Sequence, residues 1–448
     1  MGTARAALFF LLALRLLAPA TTPEALFVVV GDQHSAYERT AQLVAAVDRL
    51  KAKHPGLPMA ILLDGDTLES GNVVARRSRG IVDFAMFSAL ATRAPTVVNL
   101  GNHDTEFYGL AETVARIEAT GAKVVTNLTN PTTGRPAASP SIPLTLGANR
   151  AIVIGVATED LSTYPEAVRP SLGVADPVAW ARANFPALLS AAPVRIVLSH
   201  AGLNADRGML PLVPDGTLFA GAHDHLRFLQ AFGRTVYVHS GSWNAFMTLA
   251  WLRHDTSGVP RWDVEQIPIP SEPSDPRLAT LIRDTKARYL APEDRAVVAH
   301  LPAALAPADA ARAVAGALRR GAGADAAFIG NTTFGDGLPS GDITRAAFDA
   351  CVRFDGEIFV AAVNGARLRR LLTTANQGVE TTFERRSGEF NVASGPATVD
   401  QAKIYRIVTT DWGAKHSARY FGEPAIEWHE QAGATLKRIV LREFSGRR

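Results

Sequence analysis

Five short segments concentrate side chains that bind metals or move protons. They are Gly31-Asp32-Gln33-His34, Asp64-Gly65-Asp66, Gly101-Asn102-His103-Asp104, Ser199-His200 and Gly221-Ala222-His223-Asp224-His225. Five of the eleven histidines fall inside them. Imidazole and carboxylate are the ligands that hard and borderline divalent metals take, and an asparagine amide oxygen can complete such a shell. The single cysteine, Cys351, excludes an intrachain disulfide and a thiolate cluster, so any metal must sit on His, Asp, Glu and Asn. On an extended strand exit, Asp32-x-His34 and His223-x-His225 would each point two ligands to one side, because residues i and i+2 share a face. Asp66, centrally placed, could bridge two ions. The residues then sort into two shells: Asp32, His34, Asp66 and His225 around one metal, and Asp66, Asn102, His200 and His223 around the other. Two such cations, about 3.5–4 Å apart, clamp the attacking and leaving oxygens of a phosphoryl transfer and supply hydroxide near neutral pH. His103 has no place in either shell and is positioned to stabilise the oxyanion or protonate the leaving group. Singly, these dipeptides and tripeptides are what turns and cores produce; in this order and spacing they are hard to obtain by coincidence.

The elements that position them follow from hydrophobic patterning. LFVVV (26–30), AILL (60–63), TVVNL (96–100), KVVTN (123–127), AIVIGVA (151–157), VRIVLSH (194–200) and LFAGAH (218–223) are continuous apolar, β-branched runs, the pattern of strands buried on both faces. Amphipathic helical stretches lie between them, at 38–53, 81–93, 110–120 and 177–190. Asp32 to Asp66 is 34 residues and Asp66 to Asn102 is 36, each one strand–helix–strand unit, so the three segments emerge on the same edge of a parallel sheet. Strands TVYVHSG and AFMTLAWLR close the first half. The Pro/Ser-rich IPIPSEPSDP (267–276) marks a linker, followed by a helix over 277–289, an Ala-rich helix to Arg320 and a second α/β segment. The domains are expected at 24–266 and 291–448, with a linker and linker helix at 267–290.

At 448 residues, with 47% hydrophobic and 20% charged side chains, the chain is a well-cored globular protein and not a disordered or low-complexity one. A formal net charge of +3 is too small to indicate a nucleic-acid scaffold. A positive start, an apolar run of about a dozen residues and Ala18-Pro19-Ala20 describe a signal peptide over 1–20, so a periplasmic or secreted protein is expected. The run is too short for a span and Arg15 interrupts it, with an uncleaved anchor as the alternative to cleavage; no other stretch resembles a span.

The order Asp-x-His, Gly-Asp, Gly-Asn-His-Asp, His and His-x-His resembles the signature of the calcineurin-like metallophosphoesterase superfamily. The resemblance implies a four-layer α/β/β/α sandwich with two divalent metals, for which Mn, Zn, Fe, Mg and Co all suit N/O shells. In that family the catalytic histidine pairs with an acid three residues on, here Glu106 in place of Asp; Asp104 is the neighbouring alternative to orient His103. Ala324-Asp325-Ala326, Ile329-Gly330-Asn331, Leu338 to Thr344, Phe354-Asp355-Gly356-Glu357, Asn364-Gly365 and Tyr405 to Val408 resemble the carboxy-terminal domain of bacterial 5'-nucleotidases. That likeness implies a smaller α/β domain that grips substrate and rotates about the linker. Where that family carries a Gly-Gly-Ile-Arg run, this chain has Asn331-Thr332-Thr333-Phe334-Gly335, which removes the guanidinium fork. Its Gly-Gly-Asp-Gly-aromatic segment is replaced by residues 414–421, leaving Trp412, Tyr420 and Phe421, with Asn331 and Phe334, as candidate substrate contacts. The expected activity is an exported 5'-nucleotidase-like phosphomonoesterase using a metal-bridging hydroxide on a small phosphoester, nucleotides included. Cyclic phosphodiesters, a thiosulfohydrolase-like reaction and a non-catalytic binding role are the alternatives.

Overall fold

The computed structural model describes residues 22–422 and 424–446; the expected signal peptide lies outside the described residues. Two six-stranded sheets form the first half. In the first, strands Ala25–Gly31, Met59–Asp64, Thr96–Asn99 and Lys123–Val125 run parallel in that order, and Phe246–His254 with Pro260–Pro268 extends the other edge antiparallel. In the second, Asn149–Ala157, Val194–His200, Leu218–Gly221 and Thr235–Ser240 are parallel neighbours, flanked antiparallel by Ser141–Leu146 and Arg227–Phe232.

Alternation along the strands separates two cores. Phe27 and Val29 turn into the layer between the sheets, against Leu62, Val97, Ile196 and Leu198. Leu26, Val28 and Val30 turn outward beneath helices Thr40–Lys53, Ile81–Ala91 and Leu110–Ala119. Helix Pro177–Leu189 covers the far face of the second sheet through Ala181, Phe185 and Leu189. Both faces of each sheet are therefore buried, which is why the strands read as unbroken apolar runs, and the layers stack as α/β/β/α.

The strand Pro260–Pro268 is absent from the sequence-based expectation, because its burial alternates and only Pro260 and Trp262 are fully buried. The helix Pro276–Tyr289, expected in the linker, buries Leu278 and Ile282 in the core of the first half. The second half holds a five-stranded sheet in the order Asn391–Ser394, Ala326–Gly330, Ile404–Thr410, Glu357–Asn364, His429–Thr435. Helices Pro307–Gly321 and Leu436–Phe444 cover one face, and Gly365–Thr374 packs on the other. The segment expected as helix running to Arg320 instead begins with strand Val297–Leu301, whose partner Gly341–Thr344 lies some forty residues on and leaves no local signal.

Polar contacts join the halves around the carboxyl ends of the strands, several of them from arginines. Arg353, itself 5% exposed, places its guanidinium against the fully buried Glu69, donates to the His34 carbonyl at 2.6 Å, and lies over the Trp243 ring. Arg39 pairs with Asp336 at 3.0 Å, Asn331 donates to the Asp224 carbonyl at 2.8 Å, and Arg207 donates to the carbonyl of Arg386 at 2.8 Å.

Candidate metal centre

All seven expected ligands meet at the carboxyl ends of both sheets. Ligand atoms of Asp32, His34 and His225 lie within 4.8 Å of one another, and so do those of Asp66, His200 and His223. Asn102 joins the second group, its Oδ1 3.1 Å from His223 Nδ1. Backbone geometry brings them together differently from the extended exits expected. Asp32 (φ 50°), His34 (φ 50°), Asp66 (φ 49°), His223 (φ 78°) and His225 (φ 58°) all occupy the left-handed region, where non-glycine residues are uncommon and cost on the order of 1–3 kcal/mol each. Consequently His223 and His225 face different partners: His223 packs on His200, and His225 Nε2 is 2.8 Å from His34 Nε2. Small residues make room for this crowding. A Cβ on Gly65 (φ 75°) would sit 2.3 Å from His200 Nδ1, and one on Gly101 would sit 2.2 Å from Asp66 Oδ1.

Supporting hydrogen bonds fix the orientations. His200 Nδ1 donates to the Asp64 carbonyl at 2.9 Å, which directs Nε2 toward Asp66 Oδ2 at 3.0 Å. Asp32 Oδ1 accepts from His223 N at 2.9 Å, and Asp66 Oδ1 from His103 N at 2.8 Å. His103 Nδ1 lies 2.6 Å from Glu106 Oε1, and Glu106 also accepts from the Ser70 backbone. Asp104, the alternative orienter, is elsewhere. Its two oxygens accept the backbone N–H groups of Asp66, Thr67, Leu68 and Gly101 at 2.8–2.9 Å, so it staples the ligand loops and does not touch the His103 ring.

The donor set fits divalent cations. Asp32 and Asp66 are both at most 2% exposed, and no Lys or Arg pairs with either among the described residues. Burial pushes Asp32 well above the ordinary carboxylate range despite His200, and burial raises Asp64 to about 7. Burial opposes charge on Asp66 as well, but His200 and His103 hold it well below its ordinary value. Burial likewise disfavours charge on His103, yet Glu106 and Asp66 raise it to about 10. Burial drives His34 and His225 down toward the neutral imidazole that ligates metal, and their facing Nε2 atoms leave both Nδ1 atoms buried without a partner. Converging carboxylates and neutral imidazoles without a compensating cation are costly to bury.

Next to this centre a cavity of about 250 Å³ is bounded by Asp66, Asn102, His103, His223 and His225 on one side. On the other, the second half supplies Phe354, Asp355, Thr332, Thr333, Asp411 and Trp412. Phe354 stacks on the His103 ring, with centroids 5.6 Å apart and planes at 24°. Of the expected substrate contacts only Trp412 lines this cavity, its Nε1 donating to the Tyr420 hydroxyl at 3.2 Å. Tyr420 is buried behind the wall, bonded to Glu389. Phe421 is a core residue against Phe328 and Trp428 and does not line the cavity as a substrate contact would. Asn331 spends its amide on Asp224 and Phe390, and Phe334 packs in the second core, bordering a separate cavity at the interface. Phe354 and Asp355 were visible only as part of a family-like run; an aromatic before an Asp-Gly turn was the available signal.

Residues 25–240 match the calcineurin-like phosphoesterase family, and residues 303–396 match the 5'-nucleotidase C-terminal domain. No curated protein matches the chain by sequence. Among solved structures, a 5'-nucleotidase precursor from Thermus thermophilus aligns at 18% identity and TM-score 0.63, covering 94% of this chain and 96% of its own. The sulfate thiohydrolase SoxB of Thermus thermophilus aligns at 15% identity and TM-score 0.66 (96% and 95% covered). A 5'-nucleotidase from Candida albicans aligns at 11% identity and TM-score 0.63 (96% and 99% covered). At these identities the alignments establish the shared two-domain fold. With both family matches in register with the observed halves, residues 25–240 form a calcineurin-like phosphoesterase domain, the fold of metal-dependent phosphoester hydrolases with dinuclear sites, and a 5'-nucleotidase C-terminal domain follows it.

Proposed function

We propose that the protein is an exported 5'-nucleotidase-like phosphomonoesterase. Asp32, His34, Asp66 and His225 would hold one divalent cation, and Asp66, Asn102, His200 and His223 the second. When bound, the pair supplies Lewis-acid neutralisation of the phosphoryl oxygens and a nucleophile from water near neutral pH. His103, with Nδ1 committed to Glu106, presents its other nitrogen to the leaving-group side, where it donates a proton to the departing oxygen. Glu106 fixes the tautomer and ring orientation, and Phe354 closes over the ring face. Asp104 holds the loops that carry Asp66 and His103 in register. The ester's organic part would occupy the cavity between Phe354 and Trp412.

The observation that carries this reading is the convergence of the seven ligands with the oriented His103 at the mouth of one cavity shared by both halves. Chelation followed by assay on a phosphoester panel tests it: activity should vanish with EDTA and return with Mn or Zn. Unchanged turnover after chelation would contradict it. A thiosulfohydrolase-like reaction is the second reading, motivated by Asn331-Thr332-Thr333-Phe334-Gly335 in place of the run that carries an arginine in 5'-nucleotidases. Sulfate release from thiosulfonate conjugates, with phosphoesters left intact, would select it.

A further inference from the structure

The leaving-group cavity has a charge pattern that narrows the substrate. None of the described residues lining it is lysine or arginine. It is walled by the aromatic rings of Phe354 and Trp412, by the carboxylates of Asp355, Glu389 and Asp411, and by five serine and threonine side chains. Two guanidinium groups reach this region, and both are spent. Arg353 is buried on Glu69 and the His34 carbonyl. Arg419 sits 3.2 Å from Glu389 and 3.6 Å from Asp160. Glu389 is thus compensated, and it also accepts from the Tyr420 hydroxyl. Asp355 and Asp411 are not. Both are exposed and form no ion pair among the described residues; Asp355 Oδ1 accepts only the backbone N–H groups of Gly356 and Lys437, at 3.0 and 2.9 Å.

Resting on the phosphoester reading above, we infer that this site turns over best those phosphomonoesters whose leaving group carries an ammonium, and rejects those bearing a second negative charge. An ammonium in this cavity gains from two uncompensated carboxylates. A neutral, hydroxyl-bearing group keeps hydrogen bonds to the carboxylates and hydroxyls but loses the ionic part. An anionic group, such as a further phosphate or a carboxylate, meets two like charges and no guanidinium fork. At 5–6 Å and an effective dielectric of 40–80, each carboxylate is worth about 1 kcal/mol, roughly fivefold in rate or binding.

Three phosphomonoesters of similar size test this: phosphoethanolamine, glycerol 2-phosphate and 3-phosphoglycerate, assayed on the metal-loaded enzyme. The expected order of kcat/KM is ammonium, neutral, anionic, with about twentyfold or more between the ends, shrinking as salt rises. In the double variant Asp355→Asn, Asp411→Asn the ammonium-to-neutral ratio should fall to within about threefold. Metal content and melting temperature, measured in parallel, report that the variant is folded and loaded. Equal or better cleavage of 3-phosphoglycerate, or a ratio that survives in the folded double variant, would overturn the inference. Absence of turnover on all three esters, and on nucleoside monophosphates, by enzyme holding both metals would overturn the phosphomonoesterase reading itself.

Discussion

Asp32, His34, Asp66, His223 and His225 hold left-handed backbone on loops anchored to strands buried on both faces, while Phe354, Asp355, Thr332 and Trp412 across the cavity sit in ordinary backbone on a loop and short helices of the second half. The first group is over-determined. Asp104 gathers four backbone amides, His200 is aimed by the Asp64 carbonyl, and glycines stand where a Cβ would collide. Such strain persists only where the surroundings enforce it. The second group answers to fewer constraints: Trp412 makes one side-chain hydrogen bond, to Tyr420, and packs on the His416 ring, while Phe354 stacks on His103. One wall is therefore tightly fixed, and the other is held by fewer contacts.

The largest effect that would sharpen this contrast is expected at Asp66. Asp66→Asn should remove metal from both shells and lower kcat by at least about 10³-fold, read together by elemental analysis and assay. His103→Ala should keep two metals and lower kcat by about 10²–10⁴-fold, with KM little changed. Metal loss in that variant would move His103 into the ligand set. Across the interface, Arg353→Ala leaves Glu69 buried without its partner and should cost about 3–5 kcal/mol in thermal or denaturant unfolding. Replacing both, as Arg353→Met with Glu69→Gln, should cost clearly less; equal losses would mean that the pair itself, and not the orphaned charge, supports the interface. Phe354→Ala should be the mildest, raising KM about tenfold with metal content unchanged. An effect confined to kcat would instead show Phe354 acting through His103.

The same contrast decides what could be read from the sequence. Strands with both faces buried announce themselves as apolar runs, so Val194–His200 and its neighbours, and the convergence of the candidate ligands at their ends, were legible. What was not legible depended on partners far along the chain. Glu106 and Asp104 are both near His103 in sequence, and only the fold turns one toward the ring and the other toward the Asp66–Leu68 backbone. Phe421, Tyr420 and Trp412 fall within ten residues, yet one is core, one backs the wall and one lines the cavity, because short helices Asp411–Lys415 and Ser417–Phe421 turn them to different sides. Strand Pro260–Pro268 escaped because half of its side chains face water at an edge.

Anomalous diffraction from crystals grown with manganese tests the central claim most directly. Two peaks about 3.5–4 Å apart are predicted, one among Asp32, His34 and His225, the other among Asn102, His200 and His223, with Asp66 between them. No peak at these side chains, or a single peak away from them with the enzyme still active, would contradict it.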